Sequence, residues 1–143
     1  MGKSSSKDSS TRVEDYLEAI SLLIKKKGYA RTADIASHLN VRAPAVTRMI
    51  QRLDKKGYLK YERYRGITLT EKGKEIAEAV ENKHKIITEF LEILGLRGKV
   101  VYEDAEGIEH HIHKETLEKI SKLVKFLKDN PYFLKELKNF LES

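Results

Sequence analysis

Residue types able to do chemistry concentrate in one short run, Glu106-Gly107-Ile108-Glu109-His110-His111. On a helix, Glu106, Glu109 and His110 stand at i, i+3 and i+4, so all three project from one face. Asp15 and Glu18 repeat the i, i+3 spacing far upstream, beside the apolar Leu17 and Ile20. His84 lies between Val80 and Ile87 in a third helical pattern. Four carboxylates and two imidazoles from three helices can therefore converge on a metal ion. Oxygen donors with some imidazole and no sulfur favour Mn(II), with Fe(II), Co(II), Zn(II) and Cd(II) as competitors. From these residues alone a plainer reading stays open. Helical Glu and His pairs commonly face solvent, and a histidine near an apolar face is commonly a core residue. The chain has no cysteine, which excludes disulfides, thiolate-held zinc, iron–sulfur clusters and thiol catalysis. A di-metal hydrolase or oxidase is the enzymatic alternative. Without a nucleophile, a substrate-pocket motif or a phosphate loop, no enzyme is expected.

The second constellation is cationic. Eight basic residues and two acids fall between Arg42 and Arg65, a net +6 that equals the charge of all 143 residues. Residues 1–73 carry +8 and residues 74–143 carry −2. Charge concentrated in this way is a polyanion footprint. It coincides with a short helix, a tight turn at Asn40-Val41 and a second helix, the spacing of a helix–turn–helix. The second helix of such a unit lies in the major groove. Its candidate contacts are Arg42, Pro44, Ala45, Thr47, Arg48, Gln51 and Arg52. Arginine suits guanine edges or phosphate, glutamine suits adenine, and Ala45 and Thr47 suit thymine methyls. A following strand–turn–strand forms a wing whose Arg63, Tyr64 and Arg65 can touch the DNA backbone or minor groove. Helix–turn–helix units also serve as plain packing elements; the basic segment and the Tyr/Arg wing favour double-stranded DNA.

The elements that position these groups follow from periodicity and capping. Residues 1–10, rich in Ser and Lys, are expected to be a flexible tail. A capping-box pattern, Thr11 with Glu14, opens a helix carrying Val13, Leu17, Ile20 and Ile24, stopped by Gly28. A short helix runs from Thr32 to near Asn40, and a third from Pro44 to Gly57 with Val46, Met49, Ile50 and Leu53 inward. Residues 58–63 and 67–69 form the wing strands around 64–66. Thr70 caps a long helix to about Leu94, and further helices span Val100–Ile112, Lys114–Lys128 and Tyr132–Leu141. The expected domains are a winged helix–turn–helix over 11–78 and a helical metal-binding and dimerisation domain over 79–143. The class is mainly α. No apolar run approaches the ~18 residues of a membrane span, and the start lacks a secretory apolar segment. A cytoplasmic protein with no membrane partner is the expectation.

This pattern resembles the metal-dependent repressors of the diphtheria toxin repressor type, and within them the manganese-sensing branch. The matching segments are VEDYLEAI, KKGYARTADIA, PAVTRMIQRLDKKGYL, YERYRGITLTEKGK and, above all, EGIEHH. They cover about Val13 to Asn130. The resemblance implies a bacterial or archaeal homodimer with two metal ions per subunit between its domains. It places the ligands at Asp15, Glu18, His84, Glu106, Glu109 and His110. The iron-sensing branch has Met where Asp15 stands and Cys where Glu106 stands; hard carboxylates here point to manganese. Larger relatives add an SH3-like domain, which is not expected here, nor is an organic effector. The implied action is that the metal neutralises clustered carboxylates, operator binding follows, and manganese-uptake genes are repressed.

Overall fold

A computed structural model describes residues 5–143, with side chains from residue 13 onward. Seven helices and one β-hairpin follow in the order α1 (Ser5–Lys27), α2 (Thr32–Leu39), α3 (Ala43–Lys55), β1 (Leu59–Glu62), β2 (Gly66–Leu69), α4 (Glu71–Ile93), α5 (Lys99–Glu109), α6 (Lys114–Asp129) and α7 (Pro131–Glu142). The mainly helical class with a small wing is as expected. Two compact units divide within α4, at Val80 and Glu81.

In the first unit α1, α2, α3 and the wing enclose one apolar core. Leu17, Ile20, Ile35, Val46, Leu53 and Leu59 are its largest fully buried side chains, and Ala77 of α4 closes it. Helix α1 begins about six residues before the Thr11 pattern. The tail expected over residues 1–10 is therefore helical from Ser5 onward, and its first four residues lie outside the described ones. Continuation of a helical pattern through Ser and Lys costs little per residue, so a capping pattern does not by itself force a start.

Helix α2 ends in a Schellman arrangement. Asn40 takes a left-handed φ of 55°, and the amides of Asn40 and Val41 donate to Ser37 O and Ala36 O at 3.3 and 3.0 Å. Asparagine tolerates that conformation and so closes the tight turn into α3. Pro44 sits in the first turn of α3, where its missing N–H costs nothing.

The wing is a two-stranded antiparallel ribbon with Leu59 opposite Leu69 and Tyr61 opposite Ile67. Thr70 caps α4 through a 3.2 Å bond accepted from the Gly73 amide, while its hydroxyl donates to Gly57 O at 2.6 Å. One side chain thus joins the end of α3, the wing and the start of α4.

In the second unit Ile87 and Leu91 of α4 pack with Val101 and Ala105 of α5. Ile93 packs with Val124 and Leu127 of α6. The run read as helix to Ile112 stops at Glu109, and residues 110–111 form a turn. Ile112 still packs beside the Ile87 cluster. Its apolar spacing reflects that contact rather than a continuing helix.

Candidate metal centre and nucleic-acid interface

Helices α4 and α5 bring three sequence-selected groups together. Ligand atoms of His84, Glu106 and Glu109 all lie within 4.8 Å of one another. His84 Nδ1 is 2.7 Å from Glu109 Oε2. His110, now the residue capping the end of α5, places Nε2 3.6 Å from Glu106 Oε2. The surroundings of the two glutamates differ: the Glu109 side chain is 9% exposed and that of Glu106 is 44% exposed. Burial pushes the Glu109 carboxyl above the usual range, opposed by its hydrogen bond to His84 and reinforced by the Glu106 charge. Two carboxylates and an imidazole at this separation suit a divalent ion, whose charge would offset the cost of burying the Glu109 carboxylate. One residue that local spacing does not single out belongs here. Lys83 Nζ donates to the backbone carbonyl of Glu109 at 3.3 Å.

Asp15 and Glu18 sit one turn apart and half-buried on α1, in the first unit. Asp15 and Tyr16 line a cleft together with Leu39, Val41, Ala45, Arg48, Met49 and Arg52. A candidate ligand and two candidate DNA-contacting arginines therefore share one surface of that unit.

The candidate DNA surface is open. Arg42, Pro44, Thr47, Arg48, Gln51, Arg52, Tyr64 and Arg65 are exposed, and Ala45 is half-buried. Helix α3 turns Val46, Met49, Ile50 and Leu53 inward, which leaves the intervening positions facing solvent by helical period. The Thr47 hydroxyl donates to Ala43 O at 3.2 Å, so its methyl and the hydroxyl oxygen's lone pairs are what a base edge would meet. At the wing tip Tyr64 is 94% exposed, and the Arg63 guanidinium lies 6.0 Å from its ring centroid.

Two family models match this chain. "Iron dependent repressor, N-terminal DNA binding domain" spans residues 8–67, and "Iron dependent repressor, metal binding and dimerisation domain" spans residues 70–138. The chain belongs to the iron-dependent repressor family. Its relatives include the HTH-type transcriptional regulator MntR of Oceanobacillus iheyensis, 46% identical over 92% of this chain and 89% of that protein. The regulator of the same name in Bacillus subtilis is 44% identical over 89% of each. Among solved structures it is similar to the manganese regulator SloR, with a TM-score of 0.68 and 30% identity over 80% of this chain and 54% of that one. ScaR with bound Zn2+ gives 0.71, again with 30% identity over the same shares. The chain thus spans about half the length of those solved structures. As an iron-dependent-repressor family member it binds DNA through its first part and binds metal and dimerises through its second. Its relatives are named transcriptional regulators, not enzymes. Among the described residues no helix is long and apolar enough to cross a membrane.

Proposed function

We propose that this repressor is manganese-responsive, with Mn(II) activating operator binding and thereby repressing manganese-uptake genes. The observation that carries the reading is the donor set itself. His84, Glu106 and Glu109 cluster within 4.8 Å in a chain with no cysteine, which favours a hard divalent ion. Relatives 42–46% identical are named MntR, and the structural relative SloR is titled a manganese regulator. Two ions per subunit are held by Asp15, Glu18, His84, Glu106, Glu109 and His110, with Fe(II), Co(II), Zn(II) and Cd(II) as competitors. The ions supply positive charge to a group of carboxylates that otherwise repel one another.

Residues 11–78 act as the DNA-binding domain and residues 79–143 as the metal-binding and dimerisation domain. Arg42, Pro44, Ala45, Thr47, Arg48, Gln51 and Arg52 face the major groove, while Tyr64 and Arg65 reach the flanking backbone. In the homodimer the two α3 helices read half-sites about 34 Å apart. Metal and operator affinities are reciprocally coupled, typically by ~1–3 kcal/mol. No organic effector takes part, and the protein acts in the cytoplasm. The decisive experiment titrates operator binding at fixed salt with Mn(II), Fe(II) and Zn(II), each against a chelator control. Mn(II) is expected to activate binding at the lowest free concentration that stays selective over Fe(II). Operator affinity indifferent to chelator would sink the metal switch, and stronger activation by Fe(II) would sink the choice of manganese.

A further inference from the structure

Helix α5 stops at Glu109 with no basic residue in its last turn. Its final carbonyls lack intrahelical donors and gather the negative end of the helix dipole. The missing cation comes from another helix. Lys83 on α4 donates from Nζ to Glu109 O at 3.3 Å, in a part-buried setting. The same Glu109 offers its carboxylate to His84, with Oε2 2.7 Å from Nδ1. One residue thus presents its backbone oxygen to an ammonium and its side chain to the candidate metal cluster. Lys83 directly precedes His84, so α4 fixes the ammonium and the imidazole together.

We propose that Lys83 sets the metal-binding threshold of this centre. A protonated lysine has no lone pair and cannot be a ligand. Its charge is nevertheless held against the negative end of α5, on the backbone oxygen of the same residue whose carboxylate joins the cluster. A divalent ion entering among His84, Glu106 and Glu109 must bind in the repulsive field of that resident ammonium. The protein therefore loads only at a higher free-ion concentration than its carboxylates alone would require. The assignment rests on the metal-responsive reading above and adds to it a residue that tunes affinity without touching the ion.

The test uses the full metal-free chain without DNA, titrated calorimetrically with MnCl2 at fixed pH and low salt. Lys83→Gln keeps a donor for the Glu109 carbonyl but removes the charge; Lys83→Met removes both; Lys83→Arg keeps both. Lys83→Gln and Lys83→Met are expected to bind Mn(II) roughly five- to tenfold more tightly, and Lys83→Arg to match the parent. Raising KCl should narrow the gap, as screening predicts. Lys83→Gln at parental affinity with Lys83→Met weakened would reduce Lys83 to a helix cap and overturn the assignment. Both uncharged variants binding more weakly would overturn it as well. A parent chain that takes up no Mn(II) would sink the manganese reading and this assignment together. Parental binding with an unchanged Lys83→Gln overturns this assignment alone.

Discussion

Glu106 and Glu109 stand one turn apart, yet the Glu109 side chain is the better covered of the two, with His84 as its hydrogen-bond partner. Glu106 keeps nearly half of its side chain in solvent and meets His110 from the same helix end. Its position can therefore accept a different donor atom with little repacking. Glu106→Cys places a soft thiolate beside His84 and Glu109, and the ratio of Zn(II) to Mn(II) affinity should rise by roughly tenfold or more. Competition titration with a metallochromic indicator measures that ratio; a ratio equal to the parent's means Glu106 does not bind the ion. Much of this centre is legible in the sequence. The i, i+3, i+4 spacing places Glu106, Glu109 and His110 on one face, and His84 stands out on the apolar side of its helix. Lys83 is not legible there, because its role depends on where the end of α5 meets α4, and local spacing carries no such information.

At the scale of elements, the junction of α3, wing and α4 is a point of close backbone approach in the first unit. Thr70 donates its backbone N–H to Tyr58 O at 3.1 Å, and Lys72 lies over the Tyr58 ring at 4.6 Å. Gly73, in the first turn of α4, lets the helix pass against the Tyr58 backbone, because a Cβ there would collide with the Tyr58 carbonyl oxygen. Helix propensity alone would favour alanine over glycine by about 1 kcal/mol. The clash reverses that sign, so Gly73→Ala should destabilise the chain by about 1–3 kcal/mol in urea unfolding. A variant as stable as the parent would mean the junction yields freely. The helices and the wing are readable from caps and periodicity, with Asn40, Pro44, Gly57 and Thr70 as punctuation. The end of α5 is not, since neither Gly nor Pro marks it and Ile112 continues the apolar spacing while lying outside the helix.

Over the whole molecule, charge is divided by task. The +6 of residues 42–65 lies on exposed α3 and wing positions, while the slightly acidic second half carries the candidate metal ligands His84, Glu106 and Glu109. Binding to DNA should accordingly weaken steeply with salt. Arg48→Ala should cost operator binding about 1–3 kcal/mol while leaving Mn(II) affinity of the free protein intact. Replacing Arg63 and Arg65 together with alanine should lower the slope of log affinity against log salt by about one for each phosphate no longer neutralised. Fluorescence anisotropy over a salt series measures both; a fall in metal affinity alongside DNA affinity would point to a damaged fold instead.

The wing is held beyond its base, because the Tyr61 amide donates to Asp54 Oδ2 at 3.3 Å and Ile67, opposite Tyr61, lies one pair from the turn. Leu59 and Ile67 are buried, the rest of β1 is exposed, and the tip from residue 63 to 65 stands bare. A ribbon held this close to its turn is a short strut with a bare end. Its reach is set by the strands and its grip by the exposed tip side chains, so in the proposed complex a change at the tip should weaken all sites alike, while a change on α3 should alter the choice among them.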